Sequence, residues 1–88
     1  MQASVQEYIT QLKGKGFILG EDVVSFIEFG KHYTGANDEV VNASIEITLK
    51  AQKEFDGSFY LALLETLMEE ENTTRKKALN KAIQLQLI

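Results

Sequence analysis

Glycine is the only strong breaker of regular secondary structure in this chain, because the sequence contains no proline. Five of the six glycines fall between positions 14 and 35, and the sixth, Gly57, stands alone. The glycines therefore mark the places where regular elements are expected to begin and end. No internal repeat, linker or low-complexity tract interrupts the 88 residues, so the chain is predicted to form one domain over 1–88.

The first half of the chain has helical periodicity. From Val5 to Leu12 the apolar residues recur at i, i+3, i+4 and i+7, and Ser4 and Glu7 have capping-box spacing, which predicts a helix over 4–13. A second helix is predicted over 21–33. Gly30 falls on the apolar side of this helix, which indicates the close approach of a neighbouring backbone. The apolar residues that sweep this side are Val23, Val24, Phe26, Ile27, Phe29 and Tyr33.

The segment from Val41 to Gln52 fits two structures. Apolar and polar residues alternate strictly along it, and several are β-branched, which is typical of a strand. The charged residues Glu39, Glu46, Lys50 and Lys53, however, fall within about 60° of one another on a helical wheel. A strand over the whole segment would also exceed the usual length of about five or six residues. The sequence favours a helix, preceded by Asn37 as its N-cap, and a strand remains the alternative.

The last third of the chain is strongly helical from Phe59 to Glu71, with Ser58 as a candidate cap, and again from Arg75 to Ile88. Asn72, Thr73 and Thr74 are poor helix formers, so the helix either continues through them or restarts there. The expected fold is all-α, a compact bundle of four to five helices. The alternative is an α+β fold in which a hairpin formed by 24–33 and 41–52 is flanked by helices.

The inventory of reactive side chains is short. Without cysteine the chain lacks disulfides, thiol nucleophiles and thiolate zinc sites, and a single histidine, His32, excludes two-histidine metal motifs. Neighbouring acids such as Glu21 and Asp22 point about 100° apart on a helix and do not form a converging catalytic pair. Gly14-Lys15-Gly16 lacks the rest of a phosphate-binding loop. We therefore expect no enzyme activity, no cofactor and no metal.

Charge disfavours nucleic acid as the partner, although a regulator that binds it through the C-terminal helix is the alternative function. The net charge is −4, whereas proteins that bind phosphate backbones are normally basic. No aromatic residue follows Tyr60, so the basic helix has no ring on which bases could stack. The basic residues on that helix are Arg75, Lys76, Lys77 and Lys81.

The C-terminal region carries the strongest signal for binding a protein. Its first half is acidic and its second half is basic, so two copies laid antiparallel would pair opposite charges in a homo-oligomer. The end of the chain is unusually apolar. We predict a small protein-binding module, such as a regulator, inhibitor, adaptor or immunity-type protein, whose partner is not identified by the sequence. The predicted interface residues are Lys77, Leu79, Lys81, Ile83, Leu85 and Leu87.

Hydropathy does not predict a membrane protein. The first twelve residues are interrupted by polar side chains and do not resemble a signal peptide. No run approaches the 18 or more apolar residues that a membrane span requires. By elimination, the cytoplasm is the expected location.

Overall fold

A computed structural model of the protein describes residues 3–88, which form five α-helices and no strand. The predicted all-α bundle is confirmed, and the alternative with a hairpin over 24–33 and 41–52 is wrong. The helices are α1 (Val5–Gly14), α2 (Glu21–Thr34), α3 (Asp38–Gln52), α4 (Gly57–Glu69) and α5 (Arg75–Gln84).

Helix α3 lies at the centre of the bundle and packs against all four other helices. Every residue from Val40 to Thr48 is buried except Glu46, including the polar residues Ser44 and Thr48. The Thr48 hydroxyl donates to the carbonyl of Ser44 at 2.7 Å, so its polarity is satisfied within the helix. The solvent-facing side of this helix is narrow and is formed by charged residues such as Glu46 and Lys50, so most of its circumference is buried and its sequence resembles an alternating strand.

Side-chain caps fix where the helices begin. Ser4 and Glu7 form the predicted capping box, and the Asn37 carboxamide oxygen accepts from the backbone N–H of Val40 at 2.9 Å. Helix α4 is capped by Asp56, which accepts from the N–H of Phe59, and not by Ser58 as the sequence indicated. The serine lies too far into the first turn to take the cap position.

The last helical region is broken into two helices. Thr74 caps α5, and the residues between α4 and α5 include Glu71 in the left-handed region at φ 56°. The N–H of Asn72 donates back to the carbonyl of Leu67 at 2.9 Å, which closes the end of α4. The break allows α5 to fold back against α3, so the two helices fit within a body that measures 30 × 27 × 24 Å.

An ion pair between the exposed Arg75 and the partly buried Glu46 joins the start of α5 to α3. One guanidinium nitrogen of Arg75, Nη2, lies 2.8 and 3.0 Å from the two carboxylate oxygens of Glu46, and Lys50 Nζ lies 3.1 Å from the same carboxylate. The Glu39 carboxylate also accepts from the backbone N–H of Arg75. Burial alone would raise the pKa of Glu46, but the hydrogen bonds from Arg75 and Lys50 outweigh it and lower the pKa below its ordinary value.

Tyr60 of α4 packs against Gly30 of α2. A Cβ atom on Gly30 would lie 2.8 Å from Cε2 of the buried Tyr60 ring. The ring cannot easily move aside, because its hydroxyl donates to the carbonyl of Ile27 at 2.9 Å. The close neighbour of Gly30 is therefore an aromatic side chain and not the backbone that the sequence indicated.

The contact between Gly30 and Tyr60 predicts that Gly30→Ala destabilises the protein. Alanine normally stabilises a helix by up to about 1 kcal/mol relative to glycine, but overpacking typically costs about 1–3 kcal/mol. We expect a lower free energy of unfolding in urea. Gly14→Ala is the control, because nothing lies within 4 Å of the added methyl group, and it should leave stability unchanged or raise it. Equal effects of the two substitutions would contradict the packing argument.

The ion pair at Glu46 predicts a loss of stability in acid. Because the pKa of Glu46 is lower in the folded protein than in the unfolded chain, its contribution is complete above the unfolded-state pKa and disappears as pH falls through the folded-state pKa. Unfolding free energies measured between about pH 6 and pH 3 should therefore fall less steeply in Glu46→Gln than in the wild type. Equal slopes in Glu46→Gln and the wild type would contradict a contribution of the ion pair to stability.

Candidate functional site

The core covers only part of the apolar side of α2. Ile27 is completely buried, whereas Phe29 and Tyr33 are 52% and 65% exposed. Ile27 and Phe29 lie about 160° apart around the helix, so one layer of neighbouring residues does not cover both. The sequence placed all three on one broad apolar side, of which the core covers Ile27 and leaves Phe29 and Tyr33 exposed.

The exposed rings belong to a continuous row of aromatic contacts. Phe29 and Tyr33 stack with their ring centroids 5.5 Å apart and their planes inclined by 15°. Phe26 lies 6.0 Å from Phe29 and 6.3 Å from Tyr60, which connects the row to the core. We call the surface formed by Phe26, Phe29 and Tyr33 the aromatic face. These contacts hold its rings in place without covering them.

An acidic groove of about 510 Å³ adjoins the aromatic face between α2 and α4. Tyr33 and Thr34 line it from α2, and Glu65, Met68 and Glu69 line it from α4. Glu65 and Glu69 are exposed and lie one helical turn apart. The groove therefore combines an aromatic ring and a flexible thioether with two carboxylates, and its lining contains no basic side chain.

The predicted interface residues at the C-terminus do not form one free surface. Leu79 and Leu87 pack against the core, whereas Ile83 and Leu85 are 59% and 45% exposed. Leu85 and Leu87 line a shallow depression of about 200 Å³ together with Phe59 and Leu63 of α4. The apolar end of the chain is thus used partly inside its own domain.

Two of the four basic residues near the C-terminus are already paired with carboxylates. Arg75 binds Glu46, and Lys81 Nζ lies 2.7 Å from Glu70. Lys76 and the predicted interface residue Lys77 are exposed. The acidic and basic halves of the last region therefore meet within one chain at Glu70 and Lys81, a contact that the sequence had assigned to a second copy.

His32 and the acidic side chains do not assemble a metal site in the described part of the chain. His32 is exposed and its Nε2 lies 3.9 Å from Glu28, the i, i+4 neighbour. Among residues 3–88, no three histidine, aspartate or glutamate side chains are grouped as ligands for one ion. None of the helices in this range is both long enough and apolar enough to cross a membrane.

The chain belongs to a protein family described as "Family of unknown function (DUF6123)", whose pattern covers residues 1–88. No curated protein and no solved structure matches the chain.

The exposure of Phe29 and Tyr33 predicts that these two rings of the aromatic face contribute little to stability. Tyr33→Ser should change the free energy of unfolding by less than about 1 kcal/mol, because most of this ring is already in water. Tyr60→Phe should cost about 0.5–1.5 kcal/mol, since it removes the buried hydrogen bond to Ile27. Urea unfolding of both variants measures the two losses of unfolding free energy. A larger loss in Tyr33→Ser than in Tyr60→Phe would show that the Tyr33 ring is part of the core.

Proposed function

We propose that this protein is a small non-catalytic protein-binding module, a regulator, inhibitor or adaptor, that binds its partner through the aromatic face of α2. The observation that carries the proposal is the stacked pair Phe29 and Tyr33, more than half of whose surface is open to water. Large aromatic side chains that contribute little to their own core are typical of protein interfaces, where a few of them supply most of the affinity.

The geometry of the rings favours tight binding at low entropic cost. Phe29 is held between Phe26 and Tyr33, and Phe26 contacts the buried Tyr60. A side chain that is already restrained loses little conformational freedom when a partner covers it. The aromatic face is therefore partly preorganised for contact.

The charges around the aromatic face favour a basic partner. Glu65 and Glu69 border the groove beside Tyr33, and no basic side chain lines this groove. A second copy docked by two-fold symmetry would bring the same carboxylates together, which is unfavourable. An amphipathic helix with lysines or arginines beside its apolar side chains complements both the rings and the carboxylates.

The other predicted partners have less support. A pairing of two copies through the C-terminus stays a prediction, which the exposure of Ile83 and Leu85 favours and the packing of Leu79 and Leu87 against the core does not. Binding of nucleic acid loses support because Arg75 is engaged by Glu46 inside the chain. A cytoplasmic location also stays a prediction.

The proposal predicts that a basic amphipathic helix binds to the aromatic face. The probe is a fluorescently labelled 14-residue peptide of lysine and leucine in helical register, compared with a peptide in which glutamate replaces every lysine. Fluorescence anisotropy should show binding of the lysine peptide only. Phe29→Ser combined with Tyr33→Ser should raise the Kd by about tenfold or more, as expected when two interface aromatics are removed.

The matched control is Phe17→Ser combined with Ile18→Ser, which removes two other exposed apolar side chains at 46% and 75% exposure. This control should bind the lysine peptide like the wild type. Glu65→Gln combined with Glu69→Gln should weaken binding and reduce its dependence on salt. No binding of the lysine peptide, or equal weakening by the two pairs of serine substitutions, would contradict the proposal.

A further inference from the structure

A second cavity, of about 400 Å³, lies between α1, α3 and the start of α5 and shares no residue with the aromatic face. Its volume is within the range of sites that hold small molecules. Its lining combines an apolar wall with a set of charged side chains.

The apolar wall comes from α1, the loop after it and α3. Leu12 is buried, and Tyr8 and Leu49 are partly buried against the core. Phe17 also lines the cavity, and nearly half of its surface is exposed to water. Its backbone N–H donates to the carbonyl of Leu12 at 2.9 Å. Burial, followed by the nearby carboxylate of Glu46, raises the pKa of Tyr8, so its hydroxyl is neutral at physiological pH.

The charged lining is positive although the protein as a whole is negative. Three cations, Lys15, Lys50 and Arg75, line the cavity together with one carboxylate, that of Glu46. Lys15 forms no ion pair with any residue between 3 and 88. The side chain of Arg75 uses only Nη2 to bind Glu46, which leaves the N–H groups on Nε and Nη1 without an acceptor in the same range.

We propose that this cavity binds a small amphipathic anion, a carboxylate attached to a short apolar body. The apolar body would lie against Leu12, Phe17 and Leu49, where burial provides most of the binding energy. The carboxylate would accept hydrogen bonds from Lys15 and from the remaining donors of Arg75. Glu46 keeps Arg75 in position. It does not neutralise the cavity, because three cations line the cavity and Glu46 is the one carboxylate in its lining.

Decanoate, kept below its micelle concentration, is the probe for isothermal titration calorimetry with the full chain. We expect saturable binding of one molecule per chain. Acetate carries the same head group without the apolar body, and decyltrimethylammonium carries the same body with the opposite charge. Neither should bind measurably. Equal binding of the decyl cation would overturn the proposal, because it would show that the charges of the cavity select nothing.

The lysines of the cavity provide matched variants. Lys15→Gln and Lys50→Gln should each raise the Kd for decanoate by about two- to fivefold, the effect expected for one exposed charge pair. Lys53→Gln and Lys76→Gln make the same change in net charge at exposed positions outside the cavity lining and should leave the Kd unchanged. An equal increase in the Kd for all four substitutions would show that decanoate responds to the net charge of the protein, and it would contradict binding in this cavity.

Nuclear magnetic resonance locates the ligand independently of these variants. Decanoate should shift the backbone amide signals of Tyr8, Phe17 and Leu49 and leave those of Phe29 and Tyr33 unchanged. The Phe29→Ser and Tyr33→Ser variant should bind decanoate like the wild type, so this site and the protein-binding face can fail separately. Shifts centred on Phe29 would overturn the cavity as the site.

Discussion

The burial of the central part of α3, from Val40 to Thr48, is the constraint on which the rest of the structure depends. Because α3 contacts all four other helices, each of them turns part of its apolar side towards the same central helix. A domain of this size has only a small core, and it cannot cover every apolar residue of the surrounding helices. The wide apolar side of α2 exceeds what α3 and α4 cover, and its outer edge is the aromatic face.

Local signals in the sequence were sufficient to predict most of the fold. Ser4, Glu7 and Asn37 predicted where α1 and α3 begin, because a cap acts on backbone amides only two or three residues away. The alternation from Val41 to Gln52 left helix and strand open, since periodicity indicates a structure only when one side faces water. The sequence also did not decide whether the helix ends before Thr74. Poor helix formers weaken a helix there, but the packing of α5 on α3 determines whether the helix ends.

The functional surface was harder to predict, because exposure depends on contacts between distant parts of the chain. The sequence identified the apolar side of α2 but not which edge of it the core leaves uncovered. The sequence also did not identify the carboxylates that pair with Arg75 and Lys81, which are Glu46, 29 residues from Arg75, and Glu70 at the end of the preceding helix. The clustering of Phe26, Phe29 and Tyr33 within about 60° at one edge of this wide apolar side was the one signal in the sequence that could have indicated Phe29 and Tyr33.

Intermolecular nuclear Overhauser effects in the complex with the lysine and leucine peptide test the central claim most directly. The rings of Phe29 and Tyr33 have specific proton signals, and the leucine methyl groups of a docked peptide should lie within a few ångströms of them. We expect cross-peaks between these rings and the peptide. Cross-peaks to Ile83 and Leu85 in their place would show that the C-terminal end, and not the aromatic face of α2, is the surface that binds.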